Sequence, residues 1–152
     1  MRARQTRVPG RWMIVNERPG EELWRAVRRL PRGSGVLLLH RLEPAEMRRL
    51  NRLAALRGLR VARESPGAAA RVHDVRELRG ALLRRTALVL LSPIYPTGSH
   101  PDQVPLARMR AAALARLGRG KLLALGGMDA RRFERVRRLG FAGWAGISAF
   151  RT

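Results

Sequence analysis

The chain has 152 residues, 45% of them apolar, and a formal net charge of +21. That length holds one domain with a real core, and no run of about 18 apolar residues is present to span a membrane. Cysteine is absent, which excludes disulfides and thiolate metal sites and fits a reducing, cytoplasmic setting.

Residues 1–11 read as a basic N-terminal arm, with no apolar core of a secretory signal behind it. Residues 12–152 read as a single domain. Trp12 to Val15 is a first strand. Pro19-Gly20 breaks the chain, and Leu23, Trp24, Val27 and Leu30 then recur at helical spacing over 21–30. Glu21 and Glu22 sit in that helix's first turn, where the dipole favours acids. Pro31 to Gly35 is a turn, and Val36 to Leu39 a second strand. Glu43-Pro44 opens a helix over about 45–57, with Met47, Leu50, Leu53 and Leu56 expected inward and Gly58 as its stop. Leu59 to Ala62 is a weak third strand, and Ala68 to His73 a short fourth one after the Ser65-Pro66-Gly67 loop. A helix follows over 75–85, then strand 87–91, loop 92–105, helix 106–117, strand 121–125, helix 129–138 and strand 144–147. Asp129 reads as an N-cap and Gly140 as a C-terminal stop.

Strands alternating with helices of this length argue for βα units and a parallel sheet. A closed eight-fold barrel needs about 200 residues or more. The expected fold is therefore α/β, an incomplete TIM-type (β/α) barrel of six to seven parallel strands. An incomplete barrel leaves sheet edges that a homodimer could cover. The apolar runs at 87–91, 122–125 and 144–147 each end in small or hydroxyl residues: Ser92, Gly126-Gly127 and Ser148. Ligands of parallel α/β folds bind at the carboxyl ends of strands, so the pattern points to a site for a small anionic molecule.

The charge allows two readings. A basic face attracts nucleic-acid phosphates. Here, however, 31 of the 32 basic residues are arginine, Lys121 being the exception, and they are spread through every helical segment. Aromatics make up only 5%, too few for a base-stacking platform. We read the charge as coding skew, which bears on association and not on fold. A nucleic-acid partner is not expected, and a non-catalytic phosphate- or nucleic-acid-binding basic protein stands as the alternative function.

Leu90 to His100 (LLSPIYPTGSH) resembles the signature loop of the thiamine phosphate synthases and their TenI-like relatives. Leu125-Gly126-Gly127-Met128-Asp129 resembles that family's next strand end, and Gly143 to Ala149 its closing strand. His73 to Leu78 fits the strand-to-helix junction upstream. The match covers residues 70–152; the front half agrees only in outline. The resemblance implies a (β/α)8 barrel that joins hydroxymethylpyrimidine diphosphate to a thiazole phosphate and releases pyrophosphate, with magnesium on the diphosphate.

Carried over residue by residue, the resemblance implies that Gly126, Gly127, Ile147 and Ser148 hold the thiazole phosphate through backbone amides. Glycine lets the backbone approach, and clustered N–H groups bind an anion without a charged side chain. Thr97 and Ser99 match a hydroxyl pair that contacts the substrates. His100 stands where the family has lysine, and an imidazole offers a pyrophosphate less charge than an ammonium. On the pyrimidine-diphosphate side only Arg41 fits, within Leu39 to Glu43. The first metal carboxylate has no counterpart in register within Val61 to Glu64, the unit carrying the second is missing, and Arg71 replaces a family serine. No cofactor is therefore assigned and no catalytic residue named; losing the metal would remove several kcal/mol of leaving-group stabilisation (roughly, from the usual magnitude of metal catalysis). The TenI-like tautomerase uses a loop histidine where this chain has Pro93, which lowers that reading.

Overall fold

The computed structural model describes residues 8–151. β1 (Arg11–Val15) is the third strand of a seven-stranded sheet. On one side come β2 (Gly35–Leu38) and β3 (Arg60–Arg63); on the other, β7 (Gly143–Gly146), β6 (Leu122–Ala124), β5 (Leu88–Leu91) and β4 (Ala69–Val72). Every pairing is parallel. The sheet curls into a nearly closed α/β barrel of the TIM type. Arg11, expected at the end of the basic arm, is already in β1, and the Gly10 carbonyl accepts the Trp144 N–H. Residues 1–7 of the expected arm lie outside the described residues.

Five α-helices cover the outside: α1 (Glu21–Arg29), α2 (Pro44–Arg57), α3 (Val75–Leu83), α4 (Arg108–Leu117) and α5 (Ala130–Val136). Local signals set their ends. The Glu21 carboxylate opens α1 and accepts a hydrogen bond from Arg28, which holds it below the usual carboxylate range. Glu43 and Glu46 form a reciprocal capping box with Pro44 in the first turn, and Gly58 closes α2 in the left-handed region at φ 64°. Asp74 and Asp129 cap α3 and α5 by accepting from Glu77 and Arg132 N–H. α5 is shorter than expected: it tightens into a 3-10 turn over Arg137–Leu139 before Gly140.

Leu56, expected inward, is 73% exposed. A purely i+3 series slips about 60° per step around a helix of 3.6 residues per turn, so three steps from Met47 reach the opposite face. The buried pair is Leu50 and Ala54, four apart.

Alternation along each strand sorts two cores. Trp12, Ile14, Leu37, Ala69, Leu88, Leu90, Leu123 and Ala145 fill the barrel interior. Met13, Val15, Val36 and Leu38 face α1 and α2 on the outside, while Val89, Leu91, Leu122, Ala124 and Trp144 face α3, α4 and α5. Gly35 has no side chain because the Trp12 indole occupies that space.

The barrel has one seam. β3 and β4 are the two ends of the sheet and do not pair. Residues 64–68 join them without a helix, whereas paired parallel strands need a crossover of about a dozen residues or more. Arg71 on β4 and Glu64 beyond β3 bridge the seam by two hydrogen bonds of 2.7 and 3.0 Å.

Candidate functional site

A cavity of about 130 Å³ opens at the carboxyl ends of β4 to β7. Its floor is the turn after β6. Gly126 and Gly127 have φ of 101° and 57°, and a side chain at Gly126 would come within 2.9 Å of Pro93 Cα and 3.0 Å of Ile94 N. At Gly127 it would run into the Pro96 carbonyl. Glycine is required at both positions because the loop after β5 lies directly on this turn. Two hydrogen bonds zip them together, Ile94 N–H to Leu125 O at 2.9 Å and Tyr95 N–H to Gly126 O at 3.1 Å.

The N–H groups of Gly126, Gly127, Met128 and Ile147 have no hydrogen-bond acceptor among the described residues, and all four residues line the cavity. Met128 is buried, where an N–H without a partner is rare. Arg132 donates to the Gly127 carbonyl at 2.6 Å and stacks over Tyr95. In a planar trans peptide the Met128 N–H points opposite to that carbonyl, so it is turned away from Arg132. Clustered free amides of this kind can hold an anion without a charged side chain.

Thr97, Ser99, His100, Gly126, Gly127, Ile147 and Ser148 all line this one cavity. Thr97 also serves its own loop, accepting from Ser99 N–H at 3.3 Å. Arg41 does not join them; it lines a separate cavity of about 780 Å³ beside β2 and β3 that shares the Leu39 wall. The reason is local: Leu39 and His40 N–H both reach the Val15 carbonyl, so the chain leaves the strand there and the inward parity of 35, 37 and 39 does not carry on to 41.

Arg71, His73, Ser92 and Gln103, none of them given a ligand role from the sequence, also line the cavity. No sequence signal marked their facing: the structure turns Ala69 to the interior, and positions 71 and 73 follow its parity. His73 Nδ1 lies 2.8 Å from the Ser92 carbonyl and 3.2 Å from Ser92 Oγ. A carbonyl only accepts, so Nδ1 carries the proton. It cannot then draw a proton from the Ser92 hydroxyl, and Ser92 is not an activated nucleophile. Nε2 is the nitrogen left for a ligand.

The residues present do not fit the magnesium that the family resemblance implies. Magnesium is held by carboxylates together with substrate oxygens and water, and no Asp or Glu lines the cavity. Glu64 is engaged by Arg71, and Asp74 and Asp129 by their helix caps. Among the described residues no group of three His, Asp or Glu could hold a metal ion.

The parallel barrel with a cavity at its strand ends places the chain among TIM-like α/β folds. No protein-family model and no curated protein matches it. Among solved structures it is similar to thiamine phosphate pyrophosphorylase from Pyrococcus furiosus, with a TM-score of 0.69 and 13% identity over 95% of this chain and 88% of that one. At that identity the likeness is one of fold. No helix among the described residues is long and apolar enough to cross a membrane.

Proposed function

We propose that this protein binds the phosphate of a small phosphorylated heterocycle, of the thiazole phosphate kind, and is a reduced thiamine phosphate synthase-like protein. The observation that carries the reading is the set of unpartnered amides at Gly126, Gly127, Met128 and Ile147 around one cavity. The family-like motifs at 90–100, 125–129 and 143–149 and the fold likeness to a thiamine phosphate pyrophosphorylase support the choice of ligand. The small volume of about 130 Å³, below the roughly 300–1,000 Å³ of drug-sized sites, suits a single phosphorylated compound. Coupling to hydroxymethylpyrimidine diphosphate would draw on the neighbouring cavity, where Arg41 alone matches the family pattern. Phosphate binding is therefore better supported than turnover.

Calorimetric titration with hydroxyethylthiazole phosphate tests the reading. Saturable binding is expected, weakened at least about tenfold by Ser148→Glu, which sets a negative charge at the rim of the cavity. A flat titration refutes the reading. Incubation with both substrates and magnesium, followed for thiamine phosphate, tests turnover separately.

A further inference from the structure

We propose that Arg71 takes the place of a divalent metal in this pocket: its guanidinium meets the ligand's phosphate, and the site binds phosphate without a metal ion. The proposal rests on the phosphate reading above and adds to it the source of positive charge.

Although the chain carries 32 basic residues, Arg71 is the only Lys, Arg, Asp or Glu among the described residues that line the cavity. The rest of the lining is backbone, hydroxyl, amide, imidazole or apolar. A phosphate dianion seated on the free amides of Gly126 and Gly127 thus has one guanidinium in reach, whose charge is shared with Glu64. Alternation from the interior residue Ala69 turns Arg71 inward.

The geometry of the Glu64 pair suits Arg71 to the task. Nε donates to Glu64 Oε2 at 2.7 Å and Nη2 to Oε1 at 3.0 Å. Two of the five guanidinium N–H groups are used. Both Nη1 protons and the second Nη2 proton remain, and one Nη1 proton with that Nη2 proton forms the adjacent edge of the same planar fork. That edge matches two phosphate oxygens, so the ligand binds without breaking the ion pair. Glu64 holds the guanidinium against rotation. Lysine could not do both jobs, because its ammonium is a point charge without a second edge. The pair is partly exposed, with side chains 39% and 33% accessible, and pairs of that kind add little to stability. Its place across the unpaired seam therefore does not make Arg71 indispensable for folding.

The test is calorimetric titration of the full chain with inorganic phosphate, once in EDTA and once with excess magnesium. The wild type is expected to bind equally in both, within about twofold. Arg71→Met should weaken binding at least about tenfold, the loss of one or more charge-assisted hydrogen bonds, and Arg71→Lys should recover only part of it. Arg76→Met, which removes an exposed arginine outside the cavity, should change affinity less than about twofold, in line with the screening of distant surface charges. Circular dichroism of each variant confirms folding, and the two wild-type titrations stand whether or not the Met variant folds. Binding that requires magnesium, an Arg71→Met protein that binds like wild type, or an equal loss in Arg76→Met overturns the Arg71 assignment while leaving a phosphate site in place. A wild type that binds no phosphate under either condition overturns the phosphate reading, and this inference with it.

Discussion

Gly126→Ala tests the joint between the β6 turn and the loop after β5. Gly126 has φ 101°, a left-handed conformation that costs an L-residue about 1–2 kcal/mol. The added methyl would lie 2.9 Å from Pro93 Cα, 3.0 Å from Ile94 N and 3.1 Å from Pro93 Cβ. Those neighbours are backbone and a proline ring, so no rotamer change relieves the contact, and the loop itself must move. Overpacking of that kind costs about 1–3 kcal/mol. The shift also strains the hydrogen bonds from Ile94 and Tyr95 N–H to Leu125 and Gly126 carbonyls. The expected total is about 2–5 kcal/mol, a large part of the roughly 5–15 kcal/mol that holds a domain folded. Urea denaturation followed by circular dichroism reads the loss. Phosphate titration of the same variant should show weaker binding, because Gly126 and Gly127 carry two of the free amides. Gly98→Ala is the control: a methyl added there meets nothing within 4 Å, and the change should stay within about 0.5 kcal/mol. A Gly126→Ala protein within about 1 kcal/mol of wild type would refute the steric argument.

Trp12→Ala empties the centre of the barrel: the indole is 0% exposed and donates to the Pro9 carbonyl at 2.7 Å. Thermal or chemical unfolding should show a loss of about 3–5 kcal/mol; a loss under about 1 kcal/mol would contradict the packed interior. Asp129→Ala should cost about 1 kcal/mol through its helix cap and leave phosphate affinity nearly unchanged. Abolished binding in that variant would show that Asp129 acts on the ligand and that its cap is not its main role.

The strand-helix alternation was legible because each βα unit writes its own local pattern: Leu88–Leu91 as an apolar run, Asp129 as a cap, Gly58 as a stop. The ends of the last three strands were legible for the same reason, since Ser92, Gly126 and Ser148 stand next to runs that had to be buried. Which face of those runs points inward was not legible. A parallel strand is buried on both sides, so a run such as Leu-Val-Leu-Leu carries no alternation to read. Leu90 proved to face the barrel interior and Leu91 the helices.

The sequence by itself therefore determined the order of elements, the reduced number of units and the cluster of small residues at the strand ends, because those depend on neighbours along the chain. Only the tertiary structure decided which side chains meet. Arg71 read only as the replacement of a family serine until curling of the sheet brought β4 opposite Glu64 across an unpaired seam. Arg41 was expected beside the other site residues, and it lines the neighbouring cavity because the chain leaves β2 at Leu39. Both outcomes depend on strand parity and barrel closure, which arise from contacts between segments far apart in the chain.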